Sequence, residues 1–221
     1  DSQGNQLATY VDSDFDDLPV APAKRPDGSE LHVQVELPHR SVEVKVWEAR
    51  CGHVRLVLLD TDLDVNSHND RDITHRLYGG DKAMRVEQEI VLGVGGVRAL
   101  RAMGFNPTIW HINEGHAAFL LLERARELVA KGLDFAAALE AVAANAIFTT
   151  HTAVPAGHDQ FPEDMMAACF DRFMKELKIG REEFMALGRA DGGHEFNMTA
   201  LAVRATRYHN GVSQIHGGVS S

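Results

Sequence analysis

Two hydrophobic periodicities divide the chain, and the first has the period of a β-strand. Apolar and polar residues alternate over much of residues 31–59, as in half-buried strands. The pattern predicts strands at 31–37 and 42–46, joined by a turn at 38–40. A third strand is predicted at 54–59, and because nearly every position in it is apolar we expect it to be buried on both faces.

From residue 81 the pattern has the period of a helix, and further on short apolar strands alternate with amphipathic helices. Residues 81–104 carry apolar side chains at the spacing of one helical face. Strands are predicted at 108–112 and 147–150, and helices at 116–131, 134–144, 163–177, 181–187 and 197–208. Alternation of strands and helices predicts an α/β fold with a parallel, doubly wound sheet.

Three parts are therefore expected along the chain. Residues 1–30 are acidic and proline-containing and are predicted to be an irregular entry segment. Residues 31–80 form the β-rich subregion, and residues 81–221 form the α/β part. The composition, with 44% hydrophobic and 24% charged residues, is typical of a globular protein. The formal net charge of −10 repels a phosphate backbone, so nucleic acid is not expected as a partner.

Cysteine content and the absence of targeting features suggest a compartment. Cys51 and Cys169 are far apart in sequence and favour neither a disulfide framework nor a thiolate zinc site, so a reducing cytoplasm is expected. No apolar run approaches the roughly 20 residues of a membrane span, and no membrane partner is expected. Because the chain begins at Asp1 rather than at a methionine, we expect it to be a piece of a longer protein.

Polar loops follow the predicted strands at 108–112 and 147–150. In an open parallel sheet, ligands bind beyond the carboxyl ends of the strands, so both loops are expected to line one crevice. Their side chains are of types that hydrogen-bond to hydroxyl groups. The candidate binding residues in these loops are Asn113, Glu114 and His151.

Other interpretations of these loops remain open. Asn113 could cap the following helix, and Asp159 could begin a turn. A zinc site is a further alternative, with the possible ligands His111, Glu114, His116, His151, His158 and Asp159. Against it, His111 and His116 are five positions apart, whereas two histidines on one helical face need a spacing of four. No metal is expected.

Two glycines and a histidine outside the loops are also considered as functional residues. Gly95 and Gly96 match neither a dinucleotide-binding nor a Walker spacing, so close packing of the helix is the preferred explanation. His216 stands between an isoleucine and a glycine near the end of the chain. Alone it would be interpreted as a buried structural histidine, but its sequence neighbours favour a role in the site.

A series of motifs in consistent order resembles the short, bacterial and archaeal type of α-glucan (glycogen or starch) phosphorylase. The resemblance runs from about residue 42 to residue 220. The family commonly has proline where Ala153 stands, glutamate at Gly218 and arginine at Ser221. The matching motifs are residues 58–61, 77–81, 85–89, 92–96, 111–119, 148–152, 154–159, 196–199 and 210–217.

This resemblance implies a fold and an activity. The fold is a two-lobed glycosyltransferase fold of the GT-B type with Rossmann-like halves, of which this chain resembles the later part of the N-terminal half. The activity is reversible phosphorolysis of α-1,4-glucans to glucose 1-phosphate, assisted by pyridoxal 5′-phosphate. By the resemblance, His216 is the catalytic residue at the cleavage site, Asn113 and Glu114 contact the sugar, and His151 lines the same cleft.

The resemblance also implies what this chain lacks. The lysine that attaches pyridoxal phosphate and the basic residues that bind phosphate belong to the C-terminal half, so no cofactor-binding residue is expected here and the chain alone is expected to be inactive. The full-length family is typically a homodimer. Two alternatives remain: a glucan synthase lobe that uses a nucleotide sugar, whose Lys-x-Gly-Gly loop is absent here, and a non-catalytic glucan-binding module.

Overall fold

The computed structural model describes residues 4, 15–76, 79–152, 154, 157–190 and 192–219, apart from the side chains of Asp16, His216 and Val219. The strands are β1 (Val20–Pro22), β2 (His32–Leu37), β3 (Arg40–Cys51), β4 (Val54–Asp60), β5 (Trp110–Asn113), β6 (Ala146–Thr150), β7 (Gln160–Phe161), β8 (Phe196–Asn197) and β9 (Tyr208–Gly211). The α-helices are α1 (His68–Arg71), α2 (Lys82–Ile90), α3 (Gly96–Ala102), α4 (Phe119–Ala130), α5 (Phe135–Ala143), α6 (Glu163–Leu177), α7 (Arg181–Gly188), α8 (Met198–Arg204) and α9 (Gln214–Val219).

An antiparallel sheet is built around β3, which pairs with β1, β2 and β4. The predicted alternation is confirmed in β2 and β3, where Val35, Val42 and Val44 are fully buried. The prediction for β4 is wrong: Val54 and Leu56 are 65% and 46% exposed. Among the described residues β4 pairs only with β3, so it is an edge strand, and an apolar run alone cannot distinguish such a strand from a central one. The entry segment, expected to be irregular, contains β1.

The predicted helix at 81–104 is present, with a π-helical segment, Val91–Gly95, between α2 and α3. Asp81 caps its first turn by accepting hydrogen bonds from the backbone N–H groups of Ala83 and Met84. A Cβ atom at Gly93 would lie 2.9 Å from the backbone nitrogen of Leu120, so this glycine permits close packing against α4. Close packing does not explain Gly96, where a Cβ atom would meet nothing within 4 Å.

A parallel sheet in the order β5–β6–β9 carries the predicted strands at 108–112 and 147–150. One face is buried through Trp110, Ile112 and Phe148, while His111 and Tyr208 on the other face are exposed. A mixed α/β fold with a parallel sheet is thus confirmed, but the described residues do not bury both faces as a doubly wound sheet would.

The third strand of that sheet corrects the sequence prediction. The helix predicted at 197–208 ends at Arg204, and Tyr208–Gly211 forms β9. Its sequence, Tyr-His-Asn-Gly, has no apolar alternation because this strand lies at an exposed sheet edge. The strand is specified by its pairing with β6 rather than by its own hydrophobic pattern. None of the described helices has the length and apolar character that a membrane crossing requires.

A cluster of aromatic side chains ties the C-terminal helices to α4. The ring of Phe170 lies 4.7 Å from that of Phe119 and 5.1 Å from that of Phe184, as measured between centroids. Phe196 stacks on Phe184 at 5.3 Å. Because β8 leads directly into α8, this cluster fixes the position of Met198, the residue that packs behind the candidate site.

Matched glycine substitutions test the packing of this helix. Gly93→Ala is expected to lower the free energy of unfolding by about 1–3 kcal/mol, because its methyl group meets the backbone of α4. Gly96→Ala is expected to leave it unchanged or raise it by up to about 1 kcal/mol, since alanine favours the helix and space is open there. Urea unfolding of both variants measures the difference, and equal effects would contradict this account.

Candidate functional site

The candidate binding residues meet at the carboxyl edge of the parallel sheet. Asn113 ends β5 and His151 directly follows β6, and because these neighbouring strands are parallel their ends lie side by side. The Oδ1 atom of Asn113 lies 3.1 Å from Nε2 of His151, which donates the hydrogen bond because Oδ1 can only accept. Asn113 therefore contacts the second loop instead of capping a helix, and the two loops meet at this pair as the sequence predicted.

Glu114 joins the two loops in a strained backbone conformation. Its φ of 59° and ψ of 179° belong to a region that is essentially restricted to glycine, at a cost of about 1–3 kcal/mol. The backbone N–H of His151 donates a hydrogen bond of 2.6 Å to Oε1 of Glu114. The Oε2 atom is buried and has no hydrogen-bond partner among the described residues. Glu114 thus holds the backbone of His151 and keeps one buried acceptor without a partner among the described residues.

The turn after Glu114 is fixed by close packing against α8. A Cβ atom at Gly115 would lie 2.9 Å from Cβ of Met198, so no larger residue fits without movement of the helix. The Gly115–Ala117 segment is a 3-10 helix that leads into α4. This contact sets the direction in which Glu114 leaves β5.

A hydrogen-bonded row of polar side chains crosses the sheet next to this edge. The Oγ1 atom of Thr149 lies 2.7 Å from Nε2 of His111 and donates to Oδ1 of Asn210 at 2.8 Å. These residues come from β5, β6 and β9. The sequence analysis gave Thr149 no role, although its alternation with Phe148 is a signal that the two side chains lie on opposite faces.

A second cluster of polar side chains surrounds Arg85. The guanidinium group pairs with Asp159 at 3.0 Å and hydrogen-bonds to Nδ1 of His116 at 2.7 Å. It also lies 3.4 Å from Glu89, whose side chain is only 1% exposed. Asp159 therefore anchors the loop that follows His151 to α2. This ion pair gives Asp159 a structural role beyond beginning a turn. Arg85 and Glu89 stand four positions apart on α2, a spacing that could have indicated a shared helical face.

The buried charges of this cluster alter the pKa values of its members. Burial raises the pKa of Glu89 from 4.5 to about 7. The carboxylates of Asp159 and Glu89 raise the pKa of His116 from 6.5 to about 9, against the opposing charge of Arg85. Hydrogen bonds from His116 and Arg85 lower the pKa of Asp159 despite its partial burial. Nδ1 of His116 accepts from Arg85 when the ring is neutral and donates to Asp159, 3.2 Å away, when it is protonated.

The zinc alternative draws on residues that the structure separates. Two of the six possible ligands, His116 and Asp159, form a cluster with Glu89 in which the ligand atoms lie within 4.8 Å of one another; the described residues contain no other group of three such ligands. His111 instead hydrogen-bonds with Thr149, and His158 lies 2.8 Å from Oγ1 of Thr199. Because the guanidinium group of Arg85 already pairs with this cluster, it supplies the positive charge that a metal ion would bring.

A polar cavity of about 540 Å³ lies between the loops and α2. Its lining includes Lys82, Arg85, His116, Thr152 and Gly157. Thr152 follows His151 directly in sequence, so the cavity adjoins the loop that carries this histidine. A second, mostly apolar cavity shares Arg85 and His116 with it.

His216 belongs to the helix that follows the third parallel strand. Gly211 ends β9 and pairs with Thr150 of β6, and α9 begins three residues later at Gln214. The backbone of α9 therefore starts at the same edge of the sheet as the other candidate residues. The side chain of His216 lies outside the described part of the structure.

None of the six lysines of this chain lies in an environment suited to forming a covalent bond with a pyridoxal cofactor. Such a lysine needs a desolvated position or a neighbouring cation that lowers its pKa. Lys45 pairs with Glu30 at 2.8 Å, and Lys82, which lines the polar cavity, pairs with Glu195 at 2.9 Å and is 55% exposed. The four remaining lysines are all exposed: Lys24, Lys131, Lys175 and Lys178.

Comparisons with known proteins relate the whole chain to segments of phosphorylases. No family model matches the chain. It is 40% identical to maltodextrin phosphorylase from Thermococcus litoralis over 100% of its length and 26% of that protein. It is 41% identical to glycogen phosphorylase from Mycobacterium tuberculosis, covering 99% of the chain and 27% of the relative. For glycogen phosphorylase from Aquifex aeolicus the identity is 35%, over 92% of the chain and 30% of the relative.

The chain thus spans between a quarter and a third of the length of these relatives. The resemblance noted from the sequence motifs is confirmed: over its whole length the chain is similar to a segment of phosphorylases.

The cluster around Arg85 predicts how stability depends on pH. Both Glu89 and His116 have folded-state pKa values above their ordinary ones, so their protonated forms stabilise the folded state fully at low pH. The stabilisation by Glu89 is lost as pH rises through about 7, and that by His116 as pH rises through about 9. The free energy of unfolding is therefore expected to fall between pH 5 and pH 9.5. Glu89→Gln is expected to flatten this fall, because it removes one titrating group and weakens the shift of His116.

Urea unfolding at pH 5, 7 and 9 measures the effect. Glu183→Gln on α7 is the control, since Glu183 is exposed and should leave the pH dependence unchanged. A Glu89→Gln variant with the same pH dependence as the unmodified chain would contradict the coupling.

Proposed function

We propose that this chain is part of an α-glucan phosphorylase and that the crevice at Asn113, Glu114 and His151 binds the glucosyl unit at the cleavage site. The observation that carries the proposal is the direct hydrogen bond between Asn113 and His151 at the end of two parallel strands. The similarity of the whole chain to segments of maltodextrin and glycogen phosphorylases supports it. The reaction is reversible phosphorolysis of α-1,4-glucan to glucose 1-phosphate.

The chemistry of the crevice suits an uncharged, hydroxyl-rich ligand. Asn113 and His151 are exposed and offer amide and imidazole groups that can each donate or accept. Glu114 contributes a buried carboxylate oxygen that lacks a partner among the described residues. A site whose polar groups are paired by sugar hydroxyls discriminates strongly against molecules that lack them.

Glu114 has a positioning role in this proposal. Its carboxylate accepts the backbone N–H of His151, and so sets where the second loop leaves β6. The strain in its backbone persists because pairing with Thr149 and packing of Gly115 hold both sides of the residue. His216, whose backbone begins near the same edge, is proposed as the catalytic residue that hydrogen-bonds the glucosyl unit.

Pyridoxal 5′-phosphate, which the family resemblance implies, does not fit the lysines of this chain. The chemistry that the cofactor phosphate supplies in this proposal, acid–base relay to inorganic phosphate, therefore depends on residues outside these 221. The complete protein is proposed to be a cytoplasmic GT-B-type homodimer whose C-terminal lobe holds the cofactor. The same proposal divides this chain into an entry segment (residues 1–30), a β-rich subregion (31–80) and an α/β part that binds the glucan (81–221).

Activity is expected only from the complete protein. With maltoheptaose and inorganic phosphate, the complete protein should form glucose 1-phosphate, and formation should stop when phosphate is omitted. The purified 221-residue chain should form none, because it lacks the residues for cofactor and phosphate. Turnover of the glucan without phosphate, or binding without turnover by the complete protein, would contradict the proposal.

Removal of one crevice imidazole should reduce catalysis specifically. In the complete protein, His151→Ala is expected to lower kcat/KM for phosphorolysis at least tenfold, which corresponds to about 1.4 kcal/mol for a lost hydrogen bond. His53→Ala, at an exposed turn of the antiparallel sheet, is the matched control and should retain full activity. An unchanged kcat/KM for His151→Ala would contradict the placement of the sugar in this crevice.

A further inference from the structure

The apolar cavity next to the Arg85 cluster runs along the edge of a strand. It has a volume of about 440 Å³ and is lined by Val57, Leu58 and Leu59 of β4 on one side and by Val91, Leu92 and Leu100 on the other. Successive residues of a strand point to opposite faces of the sheet. Because three successive residues of β4 line the cavity, it follows the strand edge rather than one face.

The edge of β4 at this cavity is unpaired in the part of the chain that the structure describes, where β3 is the only strand bonded to β4. Apolar side chains along it are partly exposed, including Leu56 at 46% and, across the cavity, Leu92 at 50%. A strand edge with open backbone groups beside an apolar surface is suited to pairing with an additional extended segment.

A buried carboxylate lies at one end of the cavity. Glu89 lines it and is only 1% exposed. Its Oε1 atom is ion-paired with Arg85 at 3.4 Å, whereas Oε2 is buried and has no hydrogen-bond partner among the described residues. Leaving a buried acceptor unpaired costs free energy. A group that fills the cavity with apolar atoms and presents a hydrogen-bond donor to Glu89 would remove that cost.

We infer that this cavity is filled in the complete protein by an extended, apolar segment of the same polypeptide, which pairs with the edge of β4 and donates a hydrogen bond to Glu89. The inference rests on the proposed function, since the relatives are three to four times longer than this chain and so have the sequence to supply such a segment. A small ligand could fill the volume but would leave the backbone groups of β4 unpaired, so a polypeptide fits the observations better.

Thiol labelling of the complete protein tests this inference. Leu92→Cys is made with Cys51, Cys169 and any further cysteine of the complete protein replaced by serine, and its rate of reaction with a water-soluble maleimide is compared with that of Asp171→Cys in the same background. Asp171 is a matched control on α6, where its side chain is 65% exposed. Under native conditions Leu92→Cys should react at least tenfold more slowly than Asp171→Cys, and in denaturant the two rates should be equal.

Leu56→Cys on β4 is a second variant that should be protected in the same way, in case Leu92→Cys does not fold. Native rates at positions 92 and 56 that both equal the rate of Asp171→Cys would overturn the inference. Protection that disappears on dilution would overturn it by identifying a second copy as the occupant. Protection that requires added maltoheptaose would overturn it in favour of a small ligand.

The labelling experiment does not depend on catalysis. Phosphorolysis by the unlabelled complete protein is measured separately, so a protected but inactive protein would contradict the proposed function while supporting the docked segment.

Discussion

The parallel pairing of β5 with β6 is the constraint on which the candidate site depends. It brings the ends of two strands side by side, so that Asn113 and His151 share a hydrogen bond although they are 38 positions apart. The carboxylate of Glu114 then accepts the backbone N–H of His151 and links the two loops a second time. A strained residue persists at this point because its neighbours are held by backbone pairing and by close packing against Met198.

The cluster around Arg85 extends this arrangement away from the sheet. Asp159 belongs to the loop that begins at His151, and its ion pair with Arg85 attaches that loop to α2. His116, two residues beyond Glu114, hydrogen-bonds to the same guanidinium group. The loops that carry the candidate binding residues are therefore connected to α2, which lines both cavities. Arg85 and His116 line both cavities.

The sequence predicted the elements whose patterns are local. Alternating valines identified β2 and β3, and the bounds of α6 agree at residues 163–177 because its apolar face is regular and Leu177 precedes a left-handed residue, Lys178. It also predicted that polar loops would meet beyond two strands. The exposed edge position of β4 and the strand β9 could not be predicted, because both depend on which strands pair rather than on their own residues.

The Arg85 cluster was missed for a related reason. Arg85 and Glu89 share a helical face, but their partners come from positions 31 and 74 residues after Arg85. No spacing rule connects residues that far apart, and their meeting is decided by how α2 packs against the two loops. The motifs that resemble phosphorylases contain these residues without indicating that they contact one another.

A structure of the complete protein with a bound maltooligosaccharide tests the central claim most directly. The account predicts sugar hydroxyl groups within hydrogen-bond distance of Asn113 and His151, with the glucosyl ring at the carboxyl edge of the parallel sheet. A sugar bound elsewhere, with these two side chains still bonded only to each other and to protein, would contradict it.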